Sequence, residues 1–327
     1  MPGDTEPSRE DWLIYHGSGE PHDGIQELPE PPPWRRLGQR QTDADRARTY
    51  QVGASEVDVV NAALRLRRPL LVTGKPGTGK SSLADSIAHE LKLGPVLRWH
   101  ITSRSSLADG LYSYDAIGRL HEAGLRSGQA HGDIDIGRYI RLGPLGTALL
   151  PRDQPRVLLI DELDKSDIDL PNDLLSVFED GEFGVRELER LPEERSVVDV
   201  FTTDPGHRAQ IQQGRVVCRA FPVVVITSNG ERQFPPPFLR RCLRLDLRQP
   251  SREKLAAIVA AHMGPEVLAR SEPLIDAFLG LADRGDDVAT DQLLNAVYLA
   301  TSGGQPPEEL RGKLSEVLLR PLSAAAP

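Results

Sequence analysis

Leu70-Leu71-Val72-Thr73-Gly74-Lys75-Pro76-Gly77-Thr78-Gly79-Lys80-Ser81 is the stretch on which the rest of the chain depends. An apolar run enters a glycine-rich loop, and the loop ends in Gly-Lys-Ser ahead of a helix-patterned segment with Leu83, Ile87 and Leu91 on one side. The spacing meets G-x-x-x-x-G-K-[ST] at every defined position, in the strand–loop–helix setting that such a match requires. Glycines let the backbone turn through conformations a side chain would forbid. Successive N–H groups then face inward as an anion nest at the positive end of the following helix. Residues Gly74, Lys75, Pro76, Gly77, Thr78, Gly79, Lys80, Ser81 and Ser82 are therefore the expected phosphate contacts. Lys80 is expected to reach the β- and γ-phosphates, and the Ser81 hydroxyl to bind Mg²⁺. A chance glycine turn is the competing explanation, and the flanking strand and helix weigh against it.

A second apolar run, Val157-Leu158-Leu159-Ile160, has the look of a strand buried on both faces of a parallel sheet. It ends in Asp161-Glu162. At that position Asp161 is a candidate Mg²⁺ residue, directly or through water, and Glu162 a candidate general base for water attack. A third run, Pro222–Thr227, ends at Ser228-Asn229, where the Asn229 amide is placed to orient the attacking water. An ordinary Asn-Gly turn is the rival for Asn229-Gly230. Beyond it lie Pro235-Pro236-Pro237-Phe238-Leu239-Arg240-Arg241-Cys242 and a final alternating strand with Leu243, Leu245 and Leu247. Arginines before that strand are candidates to reach a neighbouring subunit's nucleotide.

With 327 residues the prior is two domains, or one and a lid. Hydrophobic residues at 39% and charged residues at 27% are ordinary for a globular protein. No apolar run approaches membrane-spanning length, and no secretory signal is expected. A net charge of −9 argues against a general nucleic-acid binder. Cys218 and Cys242 are the only cysteines, so a reducing cytoplasm is the expected location. His100, His121 and His131 have no ligand-like spacing and are expected at the surface.

Residues 1–45 are rich in Pro, Gly and acidic groups and predict a flexible or loosely docked extension, with Trp12, Ile14, Tyr15 and Trp34 as possible anchors on the body or on a partner. Ser55 or Asp58 is expected to start a helix, and Tyr50 and Val52 either frame an adenine base or belong to the core. Thr102–Gly146 and 181–220 read as two elaborated stretches, the second built of short β segments. From Ser251 onward helices are expected, capped at Ser251 and Thr290 and opened by Pro265 and Pro307.

The set Gly74–Ser81, Asp161-Glu162, Asn229 and Arg240-Arg241, in that order, resembles an AAA+ ATPase, and Thr227-Ser228-Asn229 followed by Pro237–Cys242 looks most like its MoxR branch. The resemblance implies an α/β class protein: a P-loop NTPase with a three-layer α/β/α parallel sheet (the AAA+ core) over 46–249, and a small all-α lid over 250–327. It further implies insertions near 102–146 and 181–220, ATP and Mg²⁺ as cofactors, Asn229 as sensor 1, and Arg241 ahead of Arg240 as the arginine finger. A homo-oligomeric ring, possibly a hexamer, is implied as well. So is a protein client, possibly one with a von Willebrand factor A domain, which the ring remodels like a chaperone. A switch or scaffold of low turnover, and a nucleic-acid-associated NTPase of a defence system, are the alternatives. The family's basic sensor 2 position is missing, since Val288-Ala289-Thr290-Asp291-Gln292 holds no Lys or Arg.

Overall fold

The structure, a computed structural model, describes residues 12–36, 43–125, 135–301 and 306–322. The chain divides into two compact units. Val52–Thr73 and Lys80–Asp246 form one, and Met1–Gln51, Gly74–Gly79 and Leu247–Pro327 form the other. His131 lies outside the described residues.

The first unit is built on a five-stranded sheet. Its strands are β1 (Leu70–Gly74), β2 (Leu97–His100), β5 (Val157–Asp161), β10 (Val223–Ser228) and β11 (Leu243–Leu247), in the order β11-β1-β10-β5-β2. The β1–β10, β10–β5 and β5–β2 pairs are parallel. Strand β5 lies between β10 and β2, and Val157, Leu158, Leu159 and Ile160 are fully buried, which is why its sequence shows no polar alternation. Register sets Ile226 beside Ile160, Thr73 beside Ser228 and His100 beside Asp161. The polar residues that end these strands therefore share the carboxyl edge of the sheet, where open α/β sheets bind ligands.

The two stretches expected as separate insertions pair with each other. Strands β3 (Tyr112–Tyr114), β4 (Ile140–Leu142), β6 (Glu182–Gly184), β7 (Val197–Phe201), β8 (Arg208–Gln212) and β9 (Arg215–Val217) form one six-stranded sheet, in the order β3-β4-β7-β8-β9-β6. Ile140, Leu142, Val198, Val200, Ile211 and Val216 join Leu158 and Ile160 in a single hydrophobic core. The alternation in Val197–Phe201 turns Val198 and Val200 inward and leaves Val197 and Asp199 in solvent. This second sheet is thus part of the core of the unit, held by the same apolar burial as the first.

Two expectations about helix limits need correction. The helix expected to start at Ser55 or Asp58 runs Ala54–Leu66 with Gly53 at its cap, so neither residue starts it. The helix after the phosphate loop, Lys80–Glu90, buries Leu83 and Ile87, but Leu91 lies past its end and is 45% exposed. Lys92 there adopts a left-handed conformation, which turns the chain off the helix axis.

In the second unit the helices Arg252–Met263, Leu268–Asp283, Thr290–Thr301 and Glu308–Leu318 pack around Leu255, Val259, Ile275, Phe278, Leu293 and Val297. Ser251 caps the first of them, its hydroxyl accepting from the Lys254 N–H. Thr290 stands inside its helix, and the Ala289 N–H is met instead by the Gln292 side chain at 2.8 Å. Trp34 packs edge-on against Tyr298 and His262, and its Nε1 donates to Asn295 Oδ1 at 3.1 Å. Tyr15, by contrast, is 82% exposed.

Candidate active site

The phosphate loop of the second unit is tightly enclosed. Gly77 has φ +74°, and a Cβ there would sit 2.6 Å from the Ala289 Cβ. Gly79 has φ +88°, and a Cβ would come within 2.9 Å of the Tyr50 ring. Both positions thus need glycine for conformation and for space. Lys75 Nζ pairs with Asp287 at 2.8 Å, and the Thr78 hydroxyl donates to the Lys75 carbonyl at 2.9 Å. Tyr50 also lies under the Lys254 ammonium, 5.8 Å from its ring centroid. Val52 begins the other unit, where with Val57, Leu64, Ile87 and Leu91 it lines an apolar groove of about 90 Å³.

At the carboxyl edge of the first unit, Asp161 ends β5. Its Oδ1 accepts from the Ser81 hydroxyl and from the Thr227 hydroxyl, each at 2.7 Å. His100 Nδ1 is 3.3 Å from Oδ2. Two hard oxygen donors, Ser81 Oγ and Asp161, therefore stand side by side. Among the described residues no group of three or more His, Cys, Asp or Glu side chains forms a metal cage. Magnesium needs none, because it keeps waters and takes the rest of its ligands from substrate phosphates. The Ser81–Asp161 pair fits that ion.

Glu162 follows in a left-handed backbone conformation, φ 61° and ψ 49°. For a residue with a Cβ this is a strained state of the kind concentrated at functional sites. The Thr227 hydroxyl fixes it by accepting from the Glu162 N–H at 2.8 Å. The Glu162 carboxylate is met by Asn229 Nδ2 at 3.2 Å and by Lys165 Nζ at 2.8 Å. Asp164, buried to 3% exposure, sits in the same turn. Lys80 is also buried; desolvation lowers its pKa, against the opposing pull of Asp164, Asp161 and Glu162. Ser82 is half-buried in the first turn of the same helix.

Arg240 and Arg241 end the short helix Pro236–Arg241. Their backbone carbonyls both accept from the Arg68 guanidinium. The Arg241 side chain pairs with Glu179 and donates to the Pro237 carbonyl at 3.3 Å, whereas Arg240 is exposed.

Ser81, Asp161, Glu162 and Asn229, chosen from the sequence, thus meet in one cluster. Thr227, Asp164, Lys165 and His100 belong to it too and were not chosen. The Thr227 role had a signal, since it is the polar residue closing an otherwise apolar strand beside Asp161. The other three carried none in isolation.

A phosphate-loop sequence on a parallel sheet of this order, with a Ser–Asp pair and an adjacent Glu at the strand tip, defines a P-loop nucleoside-triphosphatase fold. Residues 69–242, more than half of the chain, match the model of the AAA domain, dynein-related subfamily. The chain belongs to that family and is therefore an AAA+ protein, a class of ATPases that bind nucleotide, typically with Mg²⁺. No curated protein matches the chain.

Proposed function

We propose that this protein hydrolyses ATP with Mg²⁺ at the interfaces of a homo-oligomeric ring, such as a hexamer, and uses the cycle to remodel a protein partner, as MoxR-like AAA+ ATPases do. The single observation that carries the hydrolytic reading is the convergence of Ser81, Asp161, Glu162, Thr227 and Asn229. A module that only bound nucleotide would have no use for a general base held in a strained backbone conformation. In this reading residues 46–249 form the nucleotide-binding domain, 250–327 the lid, and 1–45 an extension.

The backbone N–H groups of residues 74–81 cradle the phosphates, and Ser82 continues the first helical turn behind them. Lys80 neutralises charge that develops on the γ-phosphate. Ser81 and Asp161 would hold Mg²⁺, which would supply neutralisation of phosphate charge when bound. Glu162 takes the proton of the attacking water, and Asn229 holds both Glu162 and that water in line. Arg241, or its exposed neighbour Arg240, reaches the nucleotide of the adjacent subunit. Tyr50 flanks the adenine side of the loop, with Val52 as a weaker candidate.

A protein client, such as one with a von Willebrand factor A domain, suits the net charge of −9 better than nucleic acid does. A low-turnover switch is favoured by one observation, the Lys165 ammonium on Glu162. Release of that lysine then has to accompany activation. Among the described residues no helix is long and apolar enough to cross a membrane.

The experiment is a phosphate-release assay on purified protein with ATP and Mg²⁺, beside Lys80→Ala and Glu162→Gln. Expected are magnesium-dependent turnover, no nucleotide binding by Lys80→Ala, and ATP binding without turnover by Glu162→Gln. Nucleotide affinity that survives Lys80→Ala, or turnover that survives Glu162→Gln, overturns the proposal. Glu162→Gln protein held on ATP is also the bait for the client.

A further inference from the structure

We infer that Asp164 is a positioning residue of this site, the anchor that holds the sensor loop so that the Asn229 amide meets Glu162. Asp164 lies in the turn Leu163–Lys165, directly after the candidate base. Its Oδ2 accepts from two backbone N–H groups of the opposite loop, Asn229 at 2.9 Å and Glu231 at 3.1 Å. The Arg232 guanidinium reinforces the join, donating to the Ser166 carbonyl at 2.7 Å. Two loops more than sixty residues apart in sequence are therefore clamped by one buried carboxylate and one peripheral arginine.

The carboxylate is 3% exposed, and its Oδ1 is buried with no hydrogen-bond partner. A buried carboxylate with hydrogen bonds from only two amides is costly unless its acceptor strength is used. Here those amides flank the residue whose side chain touches Glu162 at 3.2 Å. Loss of the anchor frees residues 229–231 to shift, and a misplacement on the order of 1 Å at a reacting centre costs roughly 100-fold in rate. Asp164 touches neither water nor phosphate in this scheme. It acts through Asn229.

The inference rests on the ATPase reading for its kinetic consequence but not for the anchoring itself, so two readouts separate them. The first is amide hydrogen exchange over residues 228–232, which needs no activity. The second is the split between kcat and KM for MgATP. Asp164→Ala is expected to lose protection at Asn229 and Glu231 and to lower kcat by ~10- to 100-fold, the usual range for groups that orient a site's ligands, with KM little changed. Asp164→Asn keeps a carbonyl oxygen that accepts both N–H groups while deleting the charge near Lys80. It is expected to restore protection and most of kcat.

Unchanged protection in Asp164→Ala overturns the inference. So does an Asp164→Asn protein as impaired as Asp164→Ala, because charge rather than anchoring would then be at work. If Asp164→Ala fails to fold, Asp164→Asn decides alone: retained protection and kcat support the anchor, and loss of both refutes it. A wild-type protein without turnover defeats the ATPase reading, and the exchange data still decide the anchor.

Discussion

Lys75 Nζ stands 2.8 Å from Asp287 Oδ1, tying the phosphate loop to the turn before the helix Thr290–Thr301. The sequence places no basic residue at the start of that helix, where many AAA+ lids carry one. The polarity here is reversed, with the cation on the loop and the anion on the helical side. Their side chains are 44% and 43% exposed, so the pair adds only ~0.2–1 kcal/mol to stability. Its weight lies in electrostatics, because an anion beside the loop opposes a triphosphate. Asp287→Asn is expected to bind MgATP several-fold more tightly at low salt, with the gain fading as ionic strength rises past ~0.15 M. Titration of a fluorescent ATP analogue at two salt concentrations checks this. Unchanged or weaker affinity at low salt would rule the idea out.

Thr227 is fully buried and bridges Asp161 Oδ1 and the Glu162 N–H with one hydroxyl. Thr227→Val keeps the shape and removes both bonds. A buried N–H left unmet costs roughly 1–3 kcal/mol, so the urea midpoint should fall while the unfolding slope stays constant. Turnover should fall further than stability implies, and the Mg²⁺ concentration for half-maximal rate should rise, since Asp161 loses one of the groups that orient it. Normal magnesium dependence would show that Thr227 serves the fold alone.

What could be read from the sequence divides along physical lines. Leu70–Val72, Val157–Ile160 and Val223–Ile226 are continuous apolar runs of the kind that strands buried on both faces of a parallel sheet carry, so the sheet and its polar strand tips were legible. Ser81 followed because it closes the glycine-rich loop pattern, and Asp161, Glu162 and Asn229 because they stand where apolar runs give way to polar residues. Asp164 and Lys165 were not legible, because their roles depend on which loop the fold brings against them. The union of β3 and β4 with β7, β8, β9 and β6 was hidden for the same reason. Pairing between strands distant in the chain leaves little local trace. The start of the helix Ala54–Leu66 was misplaced because Gly53 occupies the cap with no side-chain bond, so the usual Ser or Asp signal pointed too far along.

Asp204, in the turn between β7 and β8, is gripped by Arg156 through two bonds, 2.8 Å from Nη1 and 3.0 Å from Nη2. Nη2 of the same arginine also donates to the Pro95 carbonyl at 2.7 Å. The pair fastens the second sheet to the start of β5. Hydrogen bonding from Arg156 holds the Asp204 pKa below its ordinary 3.8, so the contribution of Asp204 is complete above that pH and is lost as pH falls through the depressed value. Asp204→Asn should cost roughly 1–3 kcal/mol at neutral pH, the range for losing hydrogen bonds to a charged group at a partly buried site. Stability curves of the two proteins should converge in acid, below the ordinary carboxylate range. A gap that persists there would mean packing rather than charge is responsible.

The Arg241 guanidinium pairs with Glu179, at the end of a helix whose last carbonyls are fastened by Arg68. In the proposed ring, an arginine finger at this position would have to exchange Glu179 for a neighbour's phosphate, and such a finger is worth ~10³- to 10⁵-fold in turnover. Arg241→Ala should bind ATP normally and lose hydrolysis. Glu179→Gln, which releases the guanidinium, should raise basal turnover in the assembled protein. Mixing Arg241→Ala with Glu162→Gln protein forms interfaces where an intact base faces an intact finger, so activity should partly return. Absence of rescue at every mixing ratio, with both variants assembled, would reject action in trans. Loss of turnover in Arg240→Ala but not in Arg241→Ala would transfer the role to the exposed arginine.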